Sequence, residues 1–203
     1  GSLGAFSNFL MRSTLWQATG EESSSSAADK VTEPVTGIDF PVTKSFSLNS
    51  TSPTLTLTGV GVRVKALVGP LKVNVYGMGL YVDPSRAARA FSKYKGKDAK
   101  EVAKDDDFFK ILHSPGFAKA IYIDYARAVG VDKVVDALRL VPTEDTAALD
   151  YFCDLLVIGT GSTIGNRETM TLGWEGKDKL VVQVRDKTVG TVTSAKLVEA
   201  VFE

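Results

Sequence analysis

The chain has 203 residues, with 24 Lys and Arg against 24 Asp and Glu and an apolar fraction of 44%, which suits one globular domain that buries a real core. Balanced charge excludes a broad electrostatic footprint for nucleic acid, and no apolar run approaches the roughly 18 residues of a membrane span. One Cys and one His exclude an internal disulfide and leave too few parts for a zinc site or for a Ser/His or Cys/His catalytic machine.

The first twenty residues carry Phe6, Phe9, Leu10, Leu15 and Trp16 with Arg12 and no acid. They read as a short amphipathic helix or as the edge of a targeting region. "EESSSSAAD", Glu21 to Asp29, reads as a flexible linker. Residues 1–33 are therefore assigned to an extension and 34–203 to the domain. "TGIDFP" and "KSFSLN" alternate as short strands, and Thr54–Val68 and Leu71–Val82 as longer ones. "PSRAARAFSKY" opens with Pro84 in a first helical turn, and "DDDFFKIL" stacks acids ahead of an apolar stripe; both predict helices. His113 follows as a C-terminal helix residue, where a cation is favourable.

"AKAIYIDYAR" alternates as a strand. "VDKVVDALRLV" and "TEDTAALDYFCDLLVI" have helical spacing, the second with Thr143, Asp145 and Thr146 available for capping and Cys153 as a buried small hydrophobe. "ETMTLGWE" and "KLVVQVRD" form a hairpin through Gly176-Lys177-Asp178, "KTVGTV" adds a strand, and "TSAKLVEAVFE" begins a last helix. Strands flanking a central group of helices predict an α+β domain, an antiparallel sheet covered by helices.

Arg63 interrupts a Val-rich strand and poses the functional question. With Gly69-Pro70 as a two-residue loop, Val68 opposes Leu71, Ala66 opposes Val73, Val64 opposes Val75, and Arg63 opposes Tyr76. This register predicts an apolar face of Val62, Val64, Ala66 and Val68 with Leu71, Val73 and Val75. Arg63, Lys65, Lys72, Asn74 and Tyr76 then share the other face. Directly opposed Cβ atoms lie about 5 Å apart, so Arg63 and Tyr76 are neighbours. A bulge would shift the register, and "YGMGLY" is glycine-rich enough to hold one. If the face is open, the pair is a stacked Arg–Tyr contact in solvent. If helices cover it, a guanidinium and a phenol converge in a dry pocket, where a buried Arg calls for an anion and suits a carboxylate.

"LTGVGVRVKALVGPLKVNVYGMGLYVD" resembles the signature of the chalcone-isomerase superfamily, a Gly-x-Gly-x-Arg strand followed by a strand ending in "GLYV". "GIDFP" is similar to that family's opening strand, and "LVVQVRDKTVGTVTSAKLVEAVF" to its late hairpin and following helix. The resemblance covers roughly Thr36 to Phe202. It implies an open-faced β-sandwich, a large antiparallel sheet layered with helices, with the ligand between sheet and helices. It also implies a further segment after Glu203 and a plastid as compartment.

Three branches of that superfamily bear on function: isomerases that cyclise chalcones to flavanones, plant fatty-acid-binding proteins, and a non-catalytic group that assists flavonoid synthesis. Arg63 matches the arginine that enzyme and binder share. Tyr76 falls where the binder has its carboxylate-contacting tyrosine. The enzymes instead have a threonine in that strand, a tyrosine near the start of the mid-chain helix and an asparagine within it. Alignment puts Gly130 and Ala137 at those two helix positions, and Val129–Val141 holds neither Tyr nor Asn.

Fatty-acid binding needs one charge-assisted clamp and a long apolar slot. At about 0.8 kcal/mol per buried methylene, a long acyl chain supplies on the order of 10 kcal/mol before ordering costs. The first reading is thus a non-catalytic domain that binds a fatty acid or similar apolar carboxylate through Arg63 and Tyr76, with no cofactor. An isomerase that uses Arg63 on a phenolic enone and an interaction module without small ligand stand as alternatives.

Overall fold

A computed structural model describes residues 29–48, 50–66 and 72–203. The first strands are β1 (Lys30–Thr32), β2 (Asp39–Pro41), β3 (Thr43–Ser45), β4 (Thr54–Ala66) and β5 (Lys72–Val82). Three helices follow, α1 (Pro84–Ala90), α2 (Ala99–Val102) and α3 (Asp106–Leu112), then β6 (Lys119–Tyr125) and the short β7 (Val129–Gly130). Next come α4 (Val131–Leu138), α5 (Thr146–Thr160), β8 (Thr163–Ile164), β9 (Thr169–Glu175), β10 (Lys179–Val184), β11 (Lys187–Thr193) and α6 (Ala195–Phe202).

Helix starts follow the acids and hydroxyls seen in the sequence. The Asp83 carboxylate accepts from the Arg86 amide at 2.9 Å ahead of Pro84, and Asp105 accepts from the Asp107 amide. Asp145 caps α5 through the Ala148 amide, Ser194 caps α6 through the Leu197 amide, and the Ser194 hydroxyl donates to Asp145 at 2.6 Å. The two helix starts are thereby tied to one another. That bond, first, and the Ala148 amide hold the Asp145 carboxyl below its usual range. His113 is the C-cap of α3.

Seven strands form one antiparallel sheet in the order β11-β10-β9-β6-β5-β4-β3. Gly176, at φ 67°, makes the turn between β9 and β10. Arg185 and Asp186, at φ 53° and 58°, form the two-residue loop between Val184 and Lys187, the left-handed pair that matches the twist of a tight hairpin. Every residue of the central strand β6 is buried, because both faces of the sheet are covered.

On one face, Met78, Ile121, Ile123, Met170, Leu172 and Trp174 pack under α4, α5 and α6. On the other, Tyr81, Ala120 and Tyr122 pack under Ile38, Phe40, Phe46 and Leu48 from the segment around β2 and β3. Glycines set that second spacing. A Cβ on Gly79 would come within 2.9 Å of both Leu57 and Phe40, and one on Gly173 within 2.4 Å of Leu48. The glycine-rich "YGMGLY" thus serves close layer packing.

β1 pairs with β2, and the buried Glu33 carboxylate accepts from the Val35 and Thr36 amides and the Thr36 hydroxyl. Both features fall within the segment 1–33 that the sequence assigns to the extension. All three residues of β1 are exposed, so no apolar period marks it. The amphipathic stretch in residues 1–20, most of the Ser-rich linker and the Gly69-Pro70 turn lie outside the described residues.

Candidate ligand-binding site

Arg63 and Tyr76 are directly paired across β4 and β5, as the strand pattern predicts. Beyond them the register departs from the expected one. Val64 pairs with Asn74, Lys65 with Val73 and Ala66 with Lys72. Two steps on β5 match one step on β4, which leaves Val75 as the extra residue of a β-bulge. A one-residue slip exchanges faces, so Val73 moves to the side of Arg63 and Lys65. Asn74 turns to the opposite side, where its amide donates to the Val35 carbonyl at 3.2 Å. The predicted polar face is therefore half apolar: Arg63, Lys65 and Tyr76 share it with Val73 and Val75.

That face is covered. Between it and α4 and α6 lies a cavity of about 400 Å³, inside the roughly 300–1,000 Å³ usual for small-molecule sites. Its walls are Ile121 and Ile123 of β6, Met170 and Leu172 of β9, Val134 and Leu138 of α4, and Ala200 and Val201 of α6. Among the described residues no Asp or Glu lines it. A guanidinium and a phenol at one end of an aliphatic chamber can hold an anionic head while the walls take an apolar tail.

Tyr125 is the residue that sequence reasoning missed. It pairs with Tyr76 across β5 and β6 and lines the same cavity. The two rings meet edge to face, centroids 5.4 Å apart. Its signal was present: Tyr125 continues the two-residue period of Ile121 and Ile123. Only the pairing of β6 with β5 puts it beside Tyr76.

Burial pushes the Tyr76 phenol above its usual pKa, against a smaller downward pull from the Arg63 charge. Burial, then the neighbouring Tyr76, also raises Tyr125. Both phenols are therefore neutral O–H donors at physiological pH, which is the state that hydrogen-bonds an anion.

Gly130 and Ala137, the positions at which the resemblance puts the enzymes' tyrosine and asparagine, both line the cavity. They add no polar side-chain group to it.

A buried cation outside the cavity was not anticipated. Lys119 of β6 is 1% exposed and donates to the Leu112 carbonyl at 2.6 Å and the Ser114 carbonyl at 2.5 Å. Its ammonium lies 4.3 Å from the ring centroids of both Phe117 and Trp174. It ties the C-terminal end of α3 to the sheet and is absent from the cavity lining. Burial brings its pKa down to about 7.

A large antiparallel sheet with helices over one face, a smaller layer over the other and a cavity beneath the helices is the open-faced β-sandwich of the chalcone-isomerase type. No protein-family profile matches the sequence. Among solved structures, the crystal structure of a fatty-acid-binding protein from Arabidopsis thaliana superposes with a TM-score of 0.69. The match has 23% sequence identity and covers 85% of this chain and 86% of that one. The likeness establishes the shared fold. Among the described residues no helix is long and apolar enough to cross a membrane.

Proposed function

We propose that the chain binds a long-chain fatty acid, or a similar apolar carboxylate, in the cavity between the sheet and α4 and α6, without catalysis. Arg63 pairs with the carboxylate and Tyr76 donates a hydrogen bond to it. The observation that carries this reading is the placement of a directly opposed Arg–Tyr pair beside the aliphatic walls of a covered chamber with no acid among its described lining residues. A carboxylate drawn out of water needs a charge-assisted partner, and a planar guanidinium supplies one. Fatty-acid binding by the Arabidopsis protein of the same fold agrees with the reading. An isomerase must stabilise a developing enolate and also position a phenolate; Gly130 and Ala137 give the chamber no polar side chains for the second task.

The test is direct. Purified protein is denatured and extracted with organic solvent, and the extract is analysed by mass spectrometry. Delipidated protein is then melted with and without added fatty acids. Stoichiometric fatty acid in the extract, together with a rise in Tm on adding acids, is the expected result. A clean extract with no thermal shift would sink the proposal and favour an interaction module without small ligand.

A further inference from the structure

The cavity carries more positive charge than one carboxylate can use. Besides Arg63, its described lining includes Lys65, Arg127 and Lys133. Lys133 is paired with Asp132 at 3.0 Å and with Asp136 at 3.9 Å, so it adds little. Lys65 and Arg127 are exposed, and among the described residues no carboxylate lies within ion-pair distance of either.

Strand direction places these two charges together. β4 and β6 both run antiparallel to β5 and hence parallel to each other. Lys65 lies two residues beyond Arg63 along β4. Arg127 lies two residues past Tyr125, the last residue of β6, where the chain is still held against β5 by the Ala126 amide donating to the Val75 carbonyl at 3.0 Å. Both steps point to the same end of the sheet. The polar side chains therefore form two tiers, an inner one of Arg63, Tyr76 and Tyr125 and an outer one of Lys65 and Arg127. The aliphatic walls of Ile121, Ile123 and Leu172 extend the other way. Two strand spacings, about 9–10 Å, separate β4 from β6. Flexible Lys and Arg side chains can reach one tetrahedral anion between them.

We infer that the favoured ligand is an acyl chain with a phosphate-ester head, its phosphate held by Lys65 and Arg127 while Arg63 and Tyr76 hold the acyl carbonyl. This rests on the acyl-chain reading of the cavity and refines its head group. A phosphate carries more charge and more acceptor oxygens than a carboxylate and fits two converging cations. Because the outer tier is exposed, each contact there is weak and screened by salt.

The experiment compares one acyl chain on several heads. Oleate, 1-oleoyl-lysophosphatidate, oleoyl-coenzyme A and monooleoylglycerol are titrated by calorimetry into delipidated protein below their micelle concentrations, at low and high salt. The titrations are repeated on the K65Q/R127Q double variant, with thermal melts confirming its fold. The expected result is a preference of lysophosphatidate over oleate on the order of tenfold, as two partly exposed charge contacts allow; oleoyl-coenzyme A, whose phosphates lie a whole pantetheine arm beyond the acyl carbonyl, should not share it. This preference should fall toward unity in the double variant and in high salt, and monooleoylglycerol should not share it. Equal binding of oleate and lysophosphatidate, a preference that survives the double variant, or the same gain with monooleoylglycerol or oleoyl-coenzyme A overturns the phosphate inference alone. Failure of all four ligands to bind overturns the acyl-chain reading and this inference together.

Discussion

The ring of Tyr76 meets the ring of Tyr125 edge to face, with planes at 63°, on a strand flanked by Arg63 on one side and Tyr125 on the other. Tyr76 therefore has two separable roles, a packing role through its ring and a donor role through its hydroxyl. Tyr76→Phe keeps the ring pair and should cost about 0.5–1.5 kcal/mol of fatty-acid binding, the net worth of one hydrogen bond, with Tm nearly unchanged. Tyr76→Ala also removes the ring and should lower Tm. Calorimetry beside thermal melts separates the two. A Tyr76→Phe variant that binds as tightly as wild type would remove the phenol from the site.

Arg63→Ala should cost about 2–5 kcal/mol of binding, since a buried carboxylate would lose its partner charge. Arg63 and Tyr76 act on one group, so the double variant should lose less than the sum of the singles. Oleyl alcohol provides the control, because the advantage of acid over alcohol should nearly vanish in Arg63→Ala. If folded Arg63→Ala binds acids like wild type, the clamp lies elsewhere.

A chain starting at Asp29 should bind fatty acid like the full chain, because no described cavity residue precedes Arg63. A start at Val35 should differ. It removes β1 and the Glu33 carboxylate that organises the turn leading to Ile38 and Phe40. Its urea midpoint should fall measurably. Loss of binding in a stable chain beginning at Asp29 would mean that residues 1–28 contribute to the site.

Gly79→Ala should destabilise by about 1–3 kcal/mol, the usual range for overpacking. The new methyl would press on Leu57 and Phe40 at 2.9 Å. Urea unfolding measures the loss. An unchanged midpoint would mean that the layer over this face yields freely.

Lys119 predicts a pH dependence. Its folded pKa is brought from 10.5 down to about 7 by burial. Between those values the unfolded chain holds a proton that the folded chain has released, so stability rises with pH across that window. Below it both states are charged, and the cost of burying the ammonium is fully present. Lys119→Met has no proton to release there. The Tm of wild type minus that of Lys119→Met should therefore become more positive between pH 7 and pH 10. A difference that stays flat with pH would show that the two carbonyls and two ring faces hold the ammonium against burial.

Local pattern carries much of this protein. The period-two runs of β4, β5 and β6, the aspartates ahead of α1, α3 and α5, and the Gly176 turn are legible because each depends on residues a few positions apart. The pairing of Arg63 with Tyr76 was also within reach, since it follows from counting along two strands. The bulge at Val75 was not. It is one unpaired residue whose presence depends on how the hairpin sits against the layers on both sides, and it decides that Val73 and Val75 line the cavity while Asn74 faces away. Nor does any local rule put Tyr125 beside Tyr76, Arg127 beyond the same cavity end as Lys65, or Lys119 against Trp174. Those neighbours come from strands far apart in sequence, and strand order is set by which apolar faces can be buried together. The sequence by itself determined which side chains alternate and where helices begin. Only the tertiary structure decided that Arg63 faces a covered chamber, because covering a sheet face is the work of α4 and α6, more than sixty residues away.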